Sequence, residues 1–264
     1  MPTIHPTAVV SAEAKLHESV AVGPFAIVEG AVTLGEGCAV GPGVHLLGKV
    51  TAGANNRFHS GCVIGDTPQH SGYAGEPTEV WIGDGNTFRE FVTVHRGMTA
   101  NGGVTSIGDA NLFMVNSHIA HDCKVGNKVI FANGAVIGGH AEVHDGAFLS
   151  GNTCVHQFCR VGQLAMLSGT SSVSQDLPPF WIVQEINIVH GINVVGMRRA
   201  GIPNPEIQAV RRAFKLINRS GLTIRAALER IEAEDGAHPA VKELIEFIRT
   251  SKRGICTGRA SADE

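Results

Sequence analysis

Residues 116–123 read NSHIAHDC, which places two histidines three positions apart with an aspartate directly after the second. An imidazole, with a pKa of about 6.5, can act as a general base near neutral pH, and a neighbouring carboxylate can assist it. The same side chains can ligate a metal ion, or they can be polar groups on a scaffold. The elements that carry them help to separate these possibilities.

The surrounding sequence follows a six-residue period. Apolar residues recur at every sixth position from Ile4 to Ile64 and, after two interruptions, from Ile107 to Val173. Such a period is the signature of a solenoid. One hexad makes a short strand and its corner, so eighteen residues close a three-sided coil, and coils stack about 4.8 Å apart. The sequence therefore predicts an all-β solenoid, a parallel β-helix, over residues 1–189.

Two segments interrupt the period, residues 66–79 and residues 95–106. Insertions into a solenoid project as loops and often serve binding, because the coils hold them in position. We therefore expect two loops that reach from the β-helix towards a ligand.

After residue 189 the sequence changes to helical signals. Asn204 is the expected N-cap of one helix, with Pro205 at its first helical position. Thr223 caps a second helix, and a third follows His238-Pro239. We expect a helical domain over residues 190–264, with a disordered tail over residues 257–264.

Composition excludes several classes of protein. No run of about 18 apolar residues is present, so no membrane span is expected, and the first residues lack the pattern of a secretory signal. The six cysteines form no C-x-x-C pair, so neither disulfides nor structural zinc are expected. We therefore expect a cytoplasmic protein.

Charge divides unevenly between the two parts. Residues 1–189 hold 8 basic and 15 acidic residues, a net charge of −7, whereas residues 190–264 hold 13 and 9, a net charge of +4. The basic helix that contains Arg211, Arg212 and Lys215 is either a solvated face or a docking surface for an acidic partner. Nucleic acid is not an expected partner, since the chain as a whole is acidic and poor in aromatics.

The period brings the polar residues together. The hexads at Ile119, Ile137 and Val155 are eighteen residues apart, so His121, Gly139 and Gln157 should be vertical neighbours on one edge. A histidine and a glycine N–H about 5 Å apart supply a general base and an oxyanion donor, the two groups that acyl transfer requires. Metal ligation stays the alternative, because γ-class carbonic anhydrases build a three-histidine zinc site on such a prism.

Several motifs make a family resemblance specific. The segments NSHIAHDCKVGN, GGH (138–140), VHQFC (155–159), YAGEPT (73–78) and VTVHRG (92–97), with the helical tail, resemble the UDP-N-acetylglucosamine 3-O-acyltransferases of lipid A biosynthesis. The resemblance implies a left-handed β-helix and a homotrimer with active sites between adjacent prisms. It implies transfer of a 3-hydroxyacyl chain from acyl carrier protein to the 3-hydroxyl of a UDP-sugar, with no cofactor and no metal.

The resemblance also implies residue roles. His121 would be the general base, Asp122 would orient it, and Gly139 N–H would bind the oxyanion. The residues implied in substrate binding are Gln69, His118, His140, His156, Gln157, Asn193, Arg198 and Arg199. The resemblance favours Arg211, Arg212 and Lys215 as the docking surface for the carrier protein.

Two positions depart from the family pattern. Gly72 stands where the family often has a lysine, and Glu185-Ile186-Asn187-Ile188 replaces the usual Gly-Asn-Pro/His-Ala. The acceptor is therefore either UDP-N-acetylglucosamine or a 2,3-diamino analogue, and an inactive trimeric scaffold is the remaining alternative.

A second column concerns the acyl chain. Asn133, Gly151 and Gly169 are eighteen residues apart, so two successive coils lack a side chain there. These glycines either serve turn geometry or leave a groove. At the position of Gly169, related enzymes that carry a larger residue use shorter acyl chains. The resemblance therefore predicts a long hydroxyacyl donor for this chain.

Overall fold

The structure is a computed structural model that describes residues 1–99 and 102–258. Its larger part is a three-sided parallel β-helix, in which each coil contributes one short strand to each of three sheets, here called A, B and C. Across these residues the sheets contain 11, 9 and 8 strands. The solenoid predicted from the six-residue period is confirmed.

The strands are mostly two residues long, as a hexad that includes a corner requires. Sheet A contains β1 (Thr3–Ile4), β4 (Ala21–Val22), β7 (Ala39–Val40), β10 (Arg57–Phe58), β13 (Thr87–Phe88), β16 (Leu112–Phe113), β19 (Ile130–Phe131), β22 (Phe148–Leu149), β25 (Met166–Leu167), β27 (Trp181–Val183) and β28 (Val189–Ile192). Sheet B contains β2 (Val9–Val10), β5 (Ile27–Glu29), β8 (His45–Leu47), β11 (Val63–Asp66), β14 (Thr93–His95), β17 (His118–Ile119), β20 (Val136–Ile137), β23 (Cys154–Val155) and β26 (Ser172–Val173). Sheet C contains β3 (Lys15–Leu16), β6 (Thr33–Leu34), β9 (Lys49–Ala52), β12 (Glu79–Ile82), β15 (Val104–Ile107), β18 (Lys124–Val125), β21 (Glu142–Val143) and β24 (Arg160–Val161).

Strand register matches the eighteen-residue coil. Ile119 pairs with Ile137, and Ile137 pairs with Val155, all in parallel. From Val22 onward the hexad residues are buried, and Phe58 and Phe88 stack inside the prism with ring centroids 5.0 Å apart. The core is therefore a column of aliphatic and phenylalanine side chains.

Three edges join the sheets. The B–C edge consists of the residues between a strand of sheet B and the next strand of sheet C, and both inserted loops leave the prism there, after β11 and after β14. The C–A edge and the A–B edge are defined in the same way. The segments between β11 and β12 and between β14 and β15 are residues 67–78 and 96–103, shorter than the predicted loops 66–79 and 95–106 because the strands extend into both ends of each. Residues 100 and 101 lie outside the described residues.

The helices follow the prism. They are α1 (Val194–Arg199), α2 (Asn204–Arg219), α3 (Ile224–Asp235) and α4 (Pro239–Arg249). Thr223 caps α3 through its side chain as predicted, whereas α2 begins at Asn204 with Pro203 as its N-cap, one residue earlier than expected. Phe214 of α2 packs edge-on against Trp181 of β27, with ring centroids 5.1 Å apart. This contact anchors the helices to the top of the prism.

The chain returns to the prism after α4. Ile255 bridges Asp176, and Thr257 bridges Ile188. Gly258 N–H donates to the side chain of Asn218. The segment predicted to be disordered from residue 257 is therefore ordered at its first two residues, and residues 259–264 lie outside the described residues.

No helix within residues 1–99 and 102–258 has the length and apolar character needed to cross a membrane.

Candidate active site

The predicted column on the B–C edge is present. His140 N–H donates to His121 C=O over 3.0 Å, and Phe158 N–H donates to Gly139 C=O over 3.0 Å. His121, Gly139 and Gln157 therefore lie one above the other in three successive coils, as the eighteen-residue spacing predicted.

The corner residues of this edge adopt an uncommon backbone conformation. Asp122, His140 and Phe158 have φ angles of 59°, 61° and 64°, in the left-handed region that side-chain-bearing residues rarely occupy. The tight corner requires this conformation once per coil. It turns two polar side chains, those of Asp122 and His140, towards the same space.

His121 and Asp122 form a hydrogen-bonded pair. Nδ1 of His121 lies 2.7 Å from Oδ2 of Asp122, and the side chains are only 10% and 3% exposed. A carboxylate can only accept, so Nδ1 donates and Nε2 retains its lone pair. In this arrangement the carboxylate fixes the tautomer of an imidazole that could act as a general base.

Residues of the second loop and the strand after it hold Asp122 in turn. Met98 N–H donates to Asp122 Oδ1 over 2.9 Å, and Asp122 N–H donates to Thr105 Oγ1 over 2.9 Å. Both groups come from the coil below. The inserted loop therefore orients the carboxylate of Asp122 through Met98, and the strand after it holds the Asp122 backbone through Thr105.

Gly139 lies against the imidazole of His121. A Cβ at this position would stand 2.6 Å from both Cε1 and Nε2 of the ring, so no larger residue fits without displacing His121. Among the described residues, no backbone or side-chain group accepts the Gly139 N–H. A free donor beside a histidine is the pair that acyl transfer uses.

Two further histidines flank His121. The ring of His140 lies edge-on at 5.1 Å between centroids, and the ring of His70, from the first loop, at 5.4 Å. Burial lowers the pKa of His140, although the carboxylate of Asp122, 3.7 Å from its Nε2, acts in the opposite direction. His140 also stacks on Phe158 with centroids 4.4 Å apart. The sequence did not single out His70, since an inserted loop has no register.

His118 lies three residues before His121, in β17, on the outer side of sheet B. Its Nδ1 is 2.7 Å from Thr93 Oγ1, and its ring is 4.9 Å from that of His95 between centroids. Burial, with a smaller contribution from His95 and His121, lowers the pKa of His118 to about 4. His118 is therefore neutral near pH 7, as a hydrogen-bonding residue would be.

The other predicted binding residues are spread around the prism. His156 and Gln157 are exposed on the B–C edge, and Gln69 is exposed on the first loop. Asn193 lies on the C–A edge, where its side-chain amide donates to Leu164 C=O and accepts from Gly196 N–H. Asn193 therefore caps α1, a structural contact that the sequence did not predict.

The remaining predicted residues occupy other surfaces. Arg198 and Arg199 are exposed in the last turn of α1, and Gly169 is exposed on the A–B edge. Within one chain the structure does not bring these residues beside His121, because they lie on different edges of the prism.

The predicted docking residues differ from one another. Arg211 and Lys215 are exposed on α2 and line a groove of about 260 Å³ with Arg219. Arg212 instead holds the buried carboxylate of Asp235, with Nε 2.9 Å from Oδ2. Arg212 thus joins α2 to α3, whereas neither Arg211 nor Lys215 has an ion-pair partner among the described residues.

Three possible metal ligands converge in the site. Ligand atoms of His121, Asp122 and His140 all lie within 4.8 Å of one another. However, Nδ1 of His121 and Oδ2 of Asp122 are 2.7 Å apart, whereas two ligands on a tetrahedral zinc ion are separated by roughly 3.3 Å. The pair is arranged to share a proton.

Comparison with known proteins places the chain in a family. A model described as UDP-N-acetylglucosamine O-acyltransferase, domain 2, matches residues 176–256, and one for the bacterial transferase hexapeptide repeat matches residues 105–139. The acyl-[acyl-carrier-protein]–UDP-N-acetylglucosamine O-acyltransferase of Alkalilimnicola ehrlichii is 50% identical over 97% of this chain and 99% of its own. The chain belongs to the UDP-N-acetylglucosamine O-acyltransferase family.

Other relatives with the same name or the same fold support this family assignment. The enzyme of the same name from Halorhodospira halophila is 46% identical over 97% of this chain and 99% of its own. The solved UDP-N-acetylglucosamine acyltransferase of Bacteroides fragilis superposes with a TM-score of 0.93 at 37% identity, over 96% of this chain and 99% of that one. That of Francisella novicida gives 0.91 at 35% identity, over 99% of this chain and 100% of that one. The fold is the left-handed parallel β-helix with a C-terminal helical domain.

Proposed function

We propose that this protein transfers a 3-hydroxyacyl chain from acyl carrier protein to the 3-hydroxyl of UDP-N-acetylglucosamine, the first step of lipid A biosynthesis. The observation that carries the proposal is the arrangement of Asp122, His121 and Gly139, a fixed general base beside an unused N–H donor. Full-length relatives named for this activity support it. The donor and the sugar nucleotide are cytoplasmic metabolites, so we place the reaction in the cytoplasm.

The residues suggest a direct mechanism. Nε2 of His121 removes the proton of the sugar hydroxyl as its oxygen attacks the thioester carbonyl, and Gly139 N–H stabilises the oxyanion. The C–S bond then breaks, and the imidazolium returns the proton to the departing thiolate. Asp122 stabilises the imidazolium through Nδ1. Proton, acyl group and thiol balance without a cofactor.

Completion of the site requires a second chain. His121 lies on the B–C edge, whereas Asn193 and Arg199 lie on or beside the C–A edge and Gly169 lies on the A–B edge. A homotrimer of parallel prisms would bring edges of adjacent chains together. Sheet A offers a half-buried apolar outer column that suits such packing, formed by Leu112, Ile130, Phe148, Met166 and Ile182.

A mixing experiment tests this shared site. His121→Ala and Arg199→Ala are each expected to lose activity alone. When the two are unfolded and refolded together, about a quarter of the sites in random trimers would carry both native residues, one from each of two chains. Recovered activity supports a shared site. Absence of recovery in a particle with three times the 27.7 kDa chain mass would contradict it.

The acceptor is tested with a panel of sugar nucleotides. Purified protein is incubated with 3-hydroxyacyl carrier protein and either UDP-N-acetylglucosamine or its 2,3-diamino analogue, and ester and amide products are quantified. Ester formation on UDP-N-acetylglucosamine supports the proposal, and amide formation alone would assign the other acceptor. Transfer to neither sugar would favour a scaffold, and transfer that needs stoichiometric zinc would revive the metal alternative.

A further inference from the structure

The first inserted loop is held at its base by an arginine of the second. Arg96 Nε donates to Tyr73 Oη over 3.0 Å, and Arg96 Nη1 donates to Gly65 C=O over 2.9 Å. The guanidinium carbon lies 5.5 Å from the centroid of the Tyr73 ring. Tyr73 Oη in turn donates to Glu76 C=O over 2.7 Å. One side chain therefore connects the start, the middle and, through Tyr73, the later part of the loop.

The path of this side chain depends on its shape. The guanidinium crosses Gly48, where a Cβ would stand 2.7 Å from Arg96 Nη1. The two donors point to two different acceptors, and the planar fork holds them in a fixed relation. A lysine ammonium could occupy one of these positions but not both.

Both loops also touch the catalytic pair. The first loop carries His70, whose ring lies edge-on to His121 at 5.4 Å between centroids. The second loop carries Met98, whose N–H donates to Asp122. Arg96 lies between these two contacts, two residues before Met98 and bonded to Tyr73 three residues after His70. The first loop is thus braced to the same segment that orients the catalytic carboxylate.

We propose that Arg96 is a positioning residue that keeps the first loop closed beside His121, where the acceptor sugar must place its hydroxyl. The inference rests on the proposed function. It goes beyond that function by naming the side chain that determines how often the first loop adopts the closed conformation in which the acceptor can bind. A loop that is closed only part of the time weakens apparent binding in proportion to the closed fraction. The donor thioester meets Gly139, in the coil above, so loss of the brace affects the acceptor selectively.

Three variants and one control test the proposal. Arg96→Met removes both donors, Arg96→Lys retains the charge without the fork, and Tyr73→Phe removes only the hydroxyl. Arg89→Met is the matched control, because Arg89 lies in the same coil and, among the residues the structure describes, its side chain bonds only its neighbour Glu90. Each protein is assayed for kcat and for the KM of both substrates, and backbone hydrogen exchange is measured over residues 67–78.

The proposal expects a selective effect. Arg96→Met raises the KM for the UDP-sugar by about tenfold, with kcat and the carrier-protein KM changed by less than about threefold. Arg96→Lys gives most of the same effect. Tyr73→Phe raises the sugar KM less in the Arg96→Met background than in the wild type, because only its bond to Glu76 C=O remains to be lost there. Exchange of the 67–78 amides accelerates in these variants and not in Arg89→Met.

Three results would overturn it. An unchanged sugar KM in Arg96→Met, equal losses for both substrates with a lowered melting temperature, or unchanged exchange in the loop would each remove the positioning role. The exchange measurement needs no substrate. Failure of the wild type to acylate any UDP-hexosamine would therefore count against the proposed function, while accelerated loop exchange would still report on Arg96 as the brace.

Discussion

Gly139 lies so close to His121 that a Cβ would stand 2.6 Å from Nε2, the atom that receives the proton in the proposed mechanism. The glycine is in an ordinary backbone region, since it is absent from the positive-φ residues. A glycine is therefore required for a steric reason, which is the imidazole of His121 in the coil below. The need for glycine at this position is therefore set by the neighbouring imidazole and not by the backbone conformation.

Replacement of this glycine should damage catalysis without unfolding the coil. We expect Gly139→Ala to push the His121 ring out of place and to lower kcat by about 10²-fold or more, the scale of losing a positioned base or oxyanion donor. The melting temperature should change little. Steady-state kinetics with thermal unfolding check this, and a Gly139→Ala enzyme with native kcat would show that the ring is not held there during catalysis.

The open column at Gly169 predicts the length of the donor. Gly169 is exposed, and a Cβ there would meet only Gly151 C=O, at an ordinary 3.8 Å. Gly169→Met should therefore fold normally and fill the groove, and each buried methylene that it excludes from the acyl chain is worth about 0.8 kcal/mol. The ratio of kcat/KM for long against short hydroxyacyl carrier proteins should shift towards the short donor. An unchanged ratio would contradict a role for Gly169 in selecting length.

The exposed cations of α2 predict how the carrier protein docks. Arg211→Glu with Lys215→Glu should raise the KM for the acidic carrier protein about tenfold or more and leave the sugar KM unchanged, because each change reverses a charge on the groove. Arg225→Glu, on the exposed face of α3, is the control. Arg212 is left intact because its bond to Asp235 holds two helices together. Equal effects in the control and the test variant would mean a nonspecific charge effect.

His118 predicts a pH dependence of stability. Its folded-state pKa of about 4 lies below the usual value of about 6.5, because burial disfavours the charged ring. Protons therefore bind the unfolded chain more readily, and the free energy of unfolding should fall as pH drops from about 6.5 towards 4, by about 3 kcal/mol from this group. Denaturant unfolding of wild type and His118→Gln checks this, and equal slopes against pH in both would assign the loss to other groups.

The sequence predicted those parts of the site that follow the coil period. The stacking of His121, Gly139 and Gln157 could be predicted from their spacing alone, because residues eighteen apart occupy the same position in successive coils. The place of His70 beside His121 could not, since its loop leaves the prism and is held by side-chain contacts such as Arg96 with Tyr73.

The partners of side chains outside the repeat could not be predicted from the sequence either. Arg212 looked like its neighbours on a basic helix, and only the packing of α2 against α3 shows that it holds Asp235. The resemblance implies a substrate-binding role for Asn193, whereas its capping of α1 depends on contacts that the sequence does not show. Periodicity predicts position along a repeat, whereas these contacts depend on tertiary packing.

The central claim is that the His121 and Asp122 pair activates a sugar hydroxyl for acyl transfer. Its most direct test is the single-turnover rate of ester formation from 3-hydroxyacyl carrier protein and UDP-N-acetylglucosamine, in wild type and in His121→Ala of verified fold and assembly. We predict ester formation by the wild type and a loss on the order of 10² to 10⁴ in the variant, the usual cost of removing a general base. A variant that retains more than about a tenth of the rate would contradict the claim.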